Sequence, residues 1–174
     1  MNVSPLEVVT SPEEFFKRLR EHASNDVTLP AVLLLLAVFV PNMVLTLINQ
    51  QPQAFLFTSV VIYLIFFAAL LGFVALLARL GFARTLEVVG YSTVPFLIAS
   101  VLFGTLSILG TTGIMIGQAL MLAGLIMGWL RLYKGLEVMT DARPLALRGA
   151  IASPLASFLV VGFSGLLFRL LGLA

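Results

Sequence analysis

No cysteine occurs among the 174 residues, so disulfides, thiolate metal sites and a cysteine nucleophile are excluded. Histidine occurs once, at His22 ahead of the first hydrophobic run, which leaves no second imidazole for a metal site or a triad. Charge is also scarce, at 10% of the chain against 60% hydrophobic residues. Soluble domains carry about 25% charged residues, so this is the composition of an integral membrane protein. From Asp26 to Arg79 no charge interrupts the chain, a run of about 50 residues that suffices for two helical crossings of roughly 20 each. No P-loop, H-E-x-x-H, G-x-S-x-G or clustered-carboxylate pattern is present, so no catalytic, metal or cofactor site is expected, and no nucleic-acid partner. The net charge of +2 matters less than where the charges lie.

What is present is five apolar segments: Val27 to Ile48, Ala54 to Ala78, Val88 to Leu109, Ile114 to Leu132 and Gly149 to Leu171. Each is long enough to cross a bilayer as a helix. The expected fold is an all-α integral membrane protein, a five-transmembrane-helix bundle over 27–174 behind a cytoplasmic segment 1–26. Links one and three, Asn49 to Gln53 and Gly110 to Gly113, are uncharged, whereas the second holds Arg79 and Arg84 and the fourth Arg131, Lys134, Arg143 and Arg148. With Lys17, Arg18 and Arg20 ahead of the first span, about nine basic residues share one side, which predicts a cytoplasmic N-terminus and an outer C-terminus. Arg169, the exception, is expected to snorkel to the outer interface. No cleavable signal is expected, and the first span reads as a signal anchor.

"SPEEFFKRLREH" predicts a short amphipathic helix over 12–22, with Ser11 as N-cap, Pro12 at the first helical position and Glu14 completing a capping box. Phe15, Phe16 and Leu19 form its apolar face, which suits either an anionic leaflet or the cytoplasmic ends of the bundle.

Helices in lipid associate by close packing, which small residues permit. Gly113, Gly117, Gly124 and Gly128 line one face of the fourth span, Ser153, Ser157 and Ser164 one face of the fifth, and Ser100, Gly104 and Ser107 one face of the third. Spans three to five are therefore expected to form the tight part, with spans one and two peripheral. The glycine face reads as intramolecular packing, with a homo-oligomer contact as the alternative. Pro95 and Pro154 each deprive a carbonyl one turn earlier of its N–H partner, and the hydroxyls of Ser92 and Thr93 are expected to compensate at the first kink. Two kinks entering from one side predict a vestibule between spans three and five with Tyr91 at its rim. The Arg84–Glu87 and Lys134–Glu137 pairs read as interfacial, and Asn42 and Gln118 as amides that bond another helix.

"PEEFFKRLRE" ahead of the first span, "VGYSTVP" opening the third and "WLRLYKGLEV" leaving the fourth together resemble the Yip1 domain family. Gly90, Tyr91, Ser92 and Pro95 match its glycine-tyrosine-serine-proline pattern, and Tyr133, Gly135 and Leu136 its tyrosine-glycine-leucine exit. The resemblance implies a non-enzymatic membrane protein; eukaryotic members act in vesicle traffic with Rab GTPases. This sequence has no aspartate-leucine-tyrosine-glycine-proline motif before the first span, and so resembles the compact archaeal or bacterial members, which places it in a plasma membrane. The expected partners are the bilayer and a membrane or cytoplasmic protein. The expected contact surface is Lys17, Arg18, Arg20, Arg84, Arg131, Lys134, Arg143 and Arg148. The alternative function is a small transporter or permease subunit with its cleft between spans three and five.

Overall fold

A computed structural model describes residues 4–21, 25–38, 40 and 53–170. Two short helices, α1 (Glu7–Thr10) and α2 (Pro12–Glu21), precede α3 (Asn25–Ala37), α4 (Gln53–Ala78), α5 (Phe82–Ser92), α6 (Val94–Ser107), α7 (Thr111–Thr140) and α8 (Arg143–Leu170). Among the described residues four segments are long and apolar enough to cross a membrane: Val60–Ala78, Phe82–Ser107, Thr111–Thr140 and Arg143–Leu166. The described apolar part of the expected first span, Val27–Ala37, is too short to cross alone. The continuation of that span, with Asn42 and Asn49 to Pro52, lies outside the described residues, as do His22 and the side chain of Arg169.

The charged links are shorter than expected. The helix that should leave the membrane near Leu132 runs on to Thr140, and the next begins at Arg143, so Arg131, Lys134, Arg143 and Arg148 all sit on helices. Arg, Leu, Lys and Glu are good helix formers, and nothing obliges a helix to end where the hydrocarbon does. The link after α4 is equally tight. Leu80 donates its N–H to the Ala75 carbonyl at 3.1 Å, and Arg79 takes a left-handed conformation, φ 55°. This is the Schellman closure, with arginine where glycine would be free of the cost of about 1–2 kcal/mol.

Helix α7 is the centre of the bundle, packing on α6, α8, α2 and α5. Its small-residue face makes this possible. A Cβ on Gly124 would stand 2.5 Å from the Ala99 Cβ and 3.0 Å from the Pro95 carbonyl oxygen, and one on Gly128 would stand 2.9 Å from that of Ser92. Gly113 and Gly117 likewise lie against Leu106 and Phe103. The stripe thus receives the third span of the same chain. The second span is not peripheral: α4 packs along α8, where Ala78 meets Gly149 and the rings of Phe66 and Phe158 lie 5.0 Å apart. Here the glycine lies on α8, and α4 meets it with an alanine.

Replacing Gly124 by valine should destabilise the bundle by about 1–3 kcal/mol, because two backbones must separate. Gly162→Ala, where a Cβ meets nothing within 4 Å, should be neutral or stabilise by up to about 1 kcal/mol through helix propensity. Thermal unfolding in one detergent separates the two cases, and equal melting temperatures would contradict the packing described.

Candidate functional site

Of the two expected kinks, one is a break in the third span, whereas α8 runs on through Pro154 as one helix. The third span divides at Thr93 between α5 and α6. There Thr93 Oγ1 donates to the Gly90 carbonyl at 2.7 Å and Ser92 Oγ to that of Val88 at 2.6 Å. In α8, Pro154 leaves the Ala150 carbonyl without its helical N–H, and the indole Nε1–H of Trp129 on α7 donates to that oxygen. Gly128 and Trp129, adjacent on α7, thereby reach one proline site each. The third and fifth spans do not form an extensively packed pair, and α7 touches both. The expected vestibule between them is replaced by this intervening helix. Gln118 is exposed on the outside of the bundle. Ser153 and Ser157 are fully buried on α8, where Ser157 Oγ donates to the Ser153 carbonyl at 2.7 Å and Ser153 Oγ has no partner among the described residues.

Tyr91 does not sit at a rim. It is fully buried, its hydroxyl donating to the Val27 carbonyl at 3.1 Å and its ring packed edge-on against Phe15 with centroids 4.9 Å apart. Phe16 crosses Phe15 at 5.3 Å and fills the space above Gly135, where a Cβ would stand 2.8 Å from the Phe16 ring. Val8, Phe15, Phe16, Leu19, Tyr91 and Leu136 are all fully buried together. The apolar face of α2 is therefore held in a socket at the charged end of the bundle. Burial of each large side chain there stabilises by roughly 1.5–3 kcal/mol. Gly90 brings α5 against the Ala31 backbone, and this places Tyr91 over the socket.

Polar ties close the rim. Arg84 donates to the Leu19 carbonyl at 2.7 Å, the Arg20 carbonyl at 3.1 Å and Glu87 at 2.8 Å, and Thr28 Oγ1 donates to the same, nearly buried carboxylate at 2.9 Å. Arg20 donates to the Val138 carbonyl and to Asp141 at 2.6 Å, and Arg131 Nη2 donates to the Val9 carbonyl at 2.6 Å. Three arginines thus serve the C-terminal carbonyls of α2, α7 and α1, the end where the helix dipole favours cations. Arg18 pairs with Glu7, Lys17 with Glu13, Lys134 with Glu13 and Glu137, and Arg143 Nε with the Tyr133 hydroxyl at 3.3 Å. Of the eight basic residues expected to form an outward surface, seven hold partners in the chain, and Arg148 alone has none among the described residues.

The motif residues fall around this socket. The Yip1 domain model matches the chain over residues 6–166. The chain belongs to the Yip1 domain family. No curated protein and no solved structure matches it. In this Yip1 protein Tyr91, Gly135 and Leu136 line the socket, Gly90 sets the approach of α3, and Ser92 and Pro95 form the kink beside it. Thr28, Asp141, Glu7 and the Val9 carbonyl, which also tie the cap, carried no sequence signal, because each depends on a partner 11 to 122 residues away.

Two outcomes follow from this chemistry. Trp129→Phe should cost about 1–2 kcal/mol, since it leaves the Ala150 carbonyl unmet in a nonpolar setting. In Pro154→Ala the backbone N–H returns, and the Trp129 substitution should then cost little, so a double-mutant cycle in thermal unfolding reads the coupling directly. At the cap, hydrogen bonds from Lys17 first and then Lys134 hold the Glu13 carboxyl below its ordinary value. A lowered pKa means stability that is present above the unfolded pKa and lost as pH falls through the folded one. The wild type should melt above Glu13→Gln near neutrality, and the gap should close on acidification below the ordinary carboxylate range.

Proposed function

We infer that this protein is a five-span, non-enzymatic membrane protein of the Yip1 type that works by association at its charged end. The charged end would face the cytoplasm of a prokaryotic cell, with the N-terminus inside and the C-terminus outside, in the plasma membrane. Several features support this reading. The described basic side chains lie at one end of the bundle, as excess Lys and Arg does on the cytoplasmic side. An uncharged sequence continues from Val27–Ala37 to Ile48, long enough to complete a first crossing, and an odd number of crossings puts the termini on opposite sides. The observation that carries the reading is the docked cap, which gives that end a fixed surface of charged residues in place of a loose tail. Glu14, Glu21, Arg79 and Arg148 project from that surface.

Photo-crosslinking in native membranes tests the association. A benzophenone amino acid at Glu14, Glu21 or Arg148 should give a discrete protein or lipid adduct, weakened by charge reversal at a neighbouring exposed position. Adducts from the lipid-facing Phe163 alone, with none from the charged end, would overturn the reading.

A further inference from the structure

We propose that Arg79 and Arg148 form a clamp for the phosphodiester headgroup of an anionic glycerophospholipid, at the edge of the bundle where α4 ends and α8 begins. Both are exposed, and among the described residues they are the two cations without a hydrogen bond or ion pair to the protein; the other seven are matched. One backbone contact sets them at a common depth. A Cβ on Gly149 would lie 3.3 Å from the Ala78 Cβ, and Arg148 and Arg79 are the next residues towards the charged end on these two antiparallel helices.

The cap leaves this edge open. Helices α1 and α2 pack on α7 and α6, and neither packs extensively on α4 or α8. Leu76, Phe82, Leu147 and Ile151 are exposed around the pair, an apolar skirt suited to acyl chains beneath a headgroup. Arg79 also holds a left-handed backbone conformation that glycine would adopt freely. That conformation belongs to the closure of α4; what the fold leaves unused is the side chain, exposed and without a protein partner among the described residues. Guanidinium groups present paired donors that match phosphate oxygens, and basic pockets between helices on the inner leaflet hold anionic headgroups by this chemistry. Helix α8 bears on it too: its N-terminal end points towards the same interface and favours negative charge.

The proposal rests on the charged end facing the inner leaflet, and its test separates the two ideas. The purified full-length protein in neutral detergent is titrated with palmitoyl-oleoyl phosphatidylglycerol, or with phosphatidylcholine of the same chains, and bound lipid is counted by native mass spectrometry. Phosphatidylglycerol should bind more tightly. Arg79→Gln with Arg148→Gln should weaken it about 25-fold, about five-fold for each arginine. Arg79→Lys with Arg148→Lys, which keeps the charge and loses the paired donors, should weaken it several-fold. Equal binding of the two lipids, or wild-type affinity in either double variant, overturns the site. Displacement by an equal concentration of glycerol phosphate assigns the pair to a soluble phosphate and overturns the lipid clamp. Because the native chain has no cysteine, Arg79→Cys can be labelled alone with an impermeant maleimide. Labelling from outside intact cells would overturn the orientation while leaving the lipid measurements standing.

Discussion

The close approach of α7 to its neighbours is the constraint on which the rest of the structure depends. In lipid, leucine gains nothing by touching leucine instead of an acyl chain, so helices must gain by contact density and by bonds that a side chain would otherwise hold apart. Gly113, Gly117, Gly124 and Gly128 remove those side chains along one line of α7, and Gly135 continues the line beyond them to meet Phe16 and Val88. The same face therefore packs the third span over its length and then receives the cap. One continuous helix, Thr111–Thr140, carries both contacts.

Close approach also resolves the cost of Pro154. A proline frees a carbonyl, and in hydrocarbon that oxygen is costly if left unmet. At Thr93 local hydroxyls bond the neighbouring carbonyls of Val88 and Gly90 and not that of Tyr91, whereas at Ala150 the freed carbonyl draws on Trp129 from the adjacent helix. The first arrangement is local to one span; the second ties two spans together. This difference explains why two prolines at similar depth do not open a shared cleft: the helix between them reaches one site through its backbone face and the other through an indole.

Much of this was legible in the sequence for a simple reason. Glycine spacing and proline position are local codes, and each is read without knowing what lies opposite; the capping box expected at Ser11 with Glu14 does not form, because the Ser11 N–H donates to the Glu7 carbonyl of α1 instead. The destination of an amphipathic face is not local. Phe15, Phe16 and Leu19 would show the same spacing on a leaflet as in a socket, and only the positions of Tyr91 and Gly135, more than 70 residues on, decide between them. The basic residues misled for the same reason. Arg20, Arg84 and Arg131 look like solvated surface charges until the helix ends they serve are placed beside them. Helix α4 shows no small-residue stripe, yet it approaches α8 closely where Gly149 leaves room for Ala78.

The charged end is consequently not one surface but two. Over α5, α6 and α7 the cap has turned cations inward, so that their guanidinium and ammonium groups bond carbonyls and carboxylates of the chain itself. Over α4 and α8 neither α1 nor α2 packs extensively on the helix ends, and Arg79 and Arg148 have no partner among the described residues. A charge already matched has little left to offer a ligand, since a new partner must replace an existing bond instead of adding one. Unmatched cationic donors are therefore concentrated on the uncovered half. The division follows from the fold: the cap lies where Gly135 leaves room for Phe16, and α4 and α8, joined through Ala78 and Gly149, provide no comparable socket.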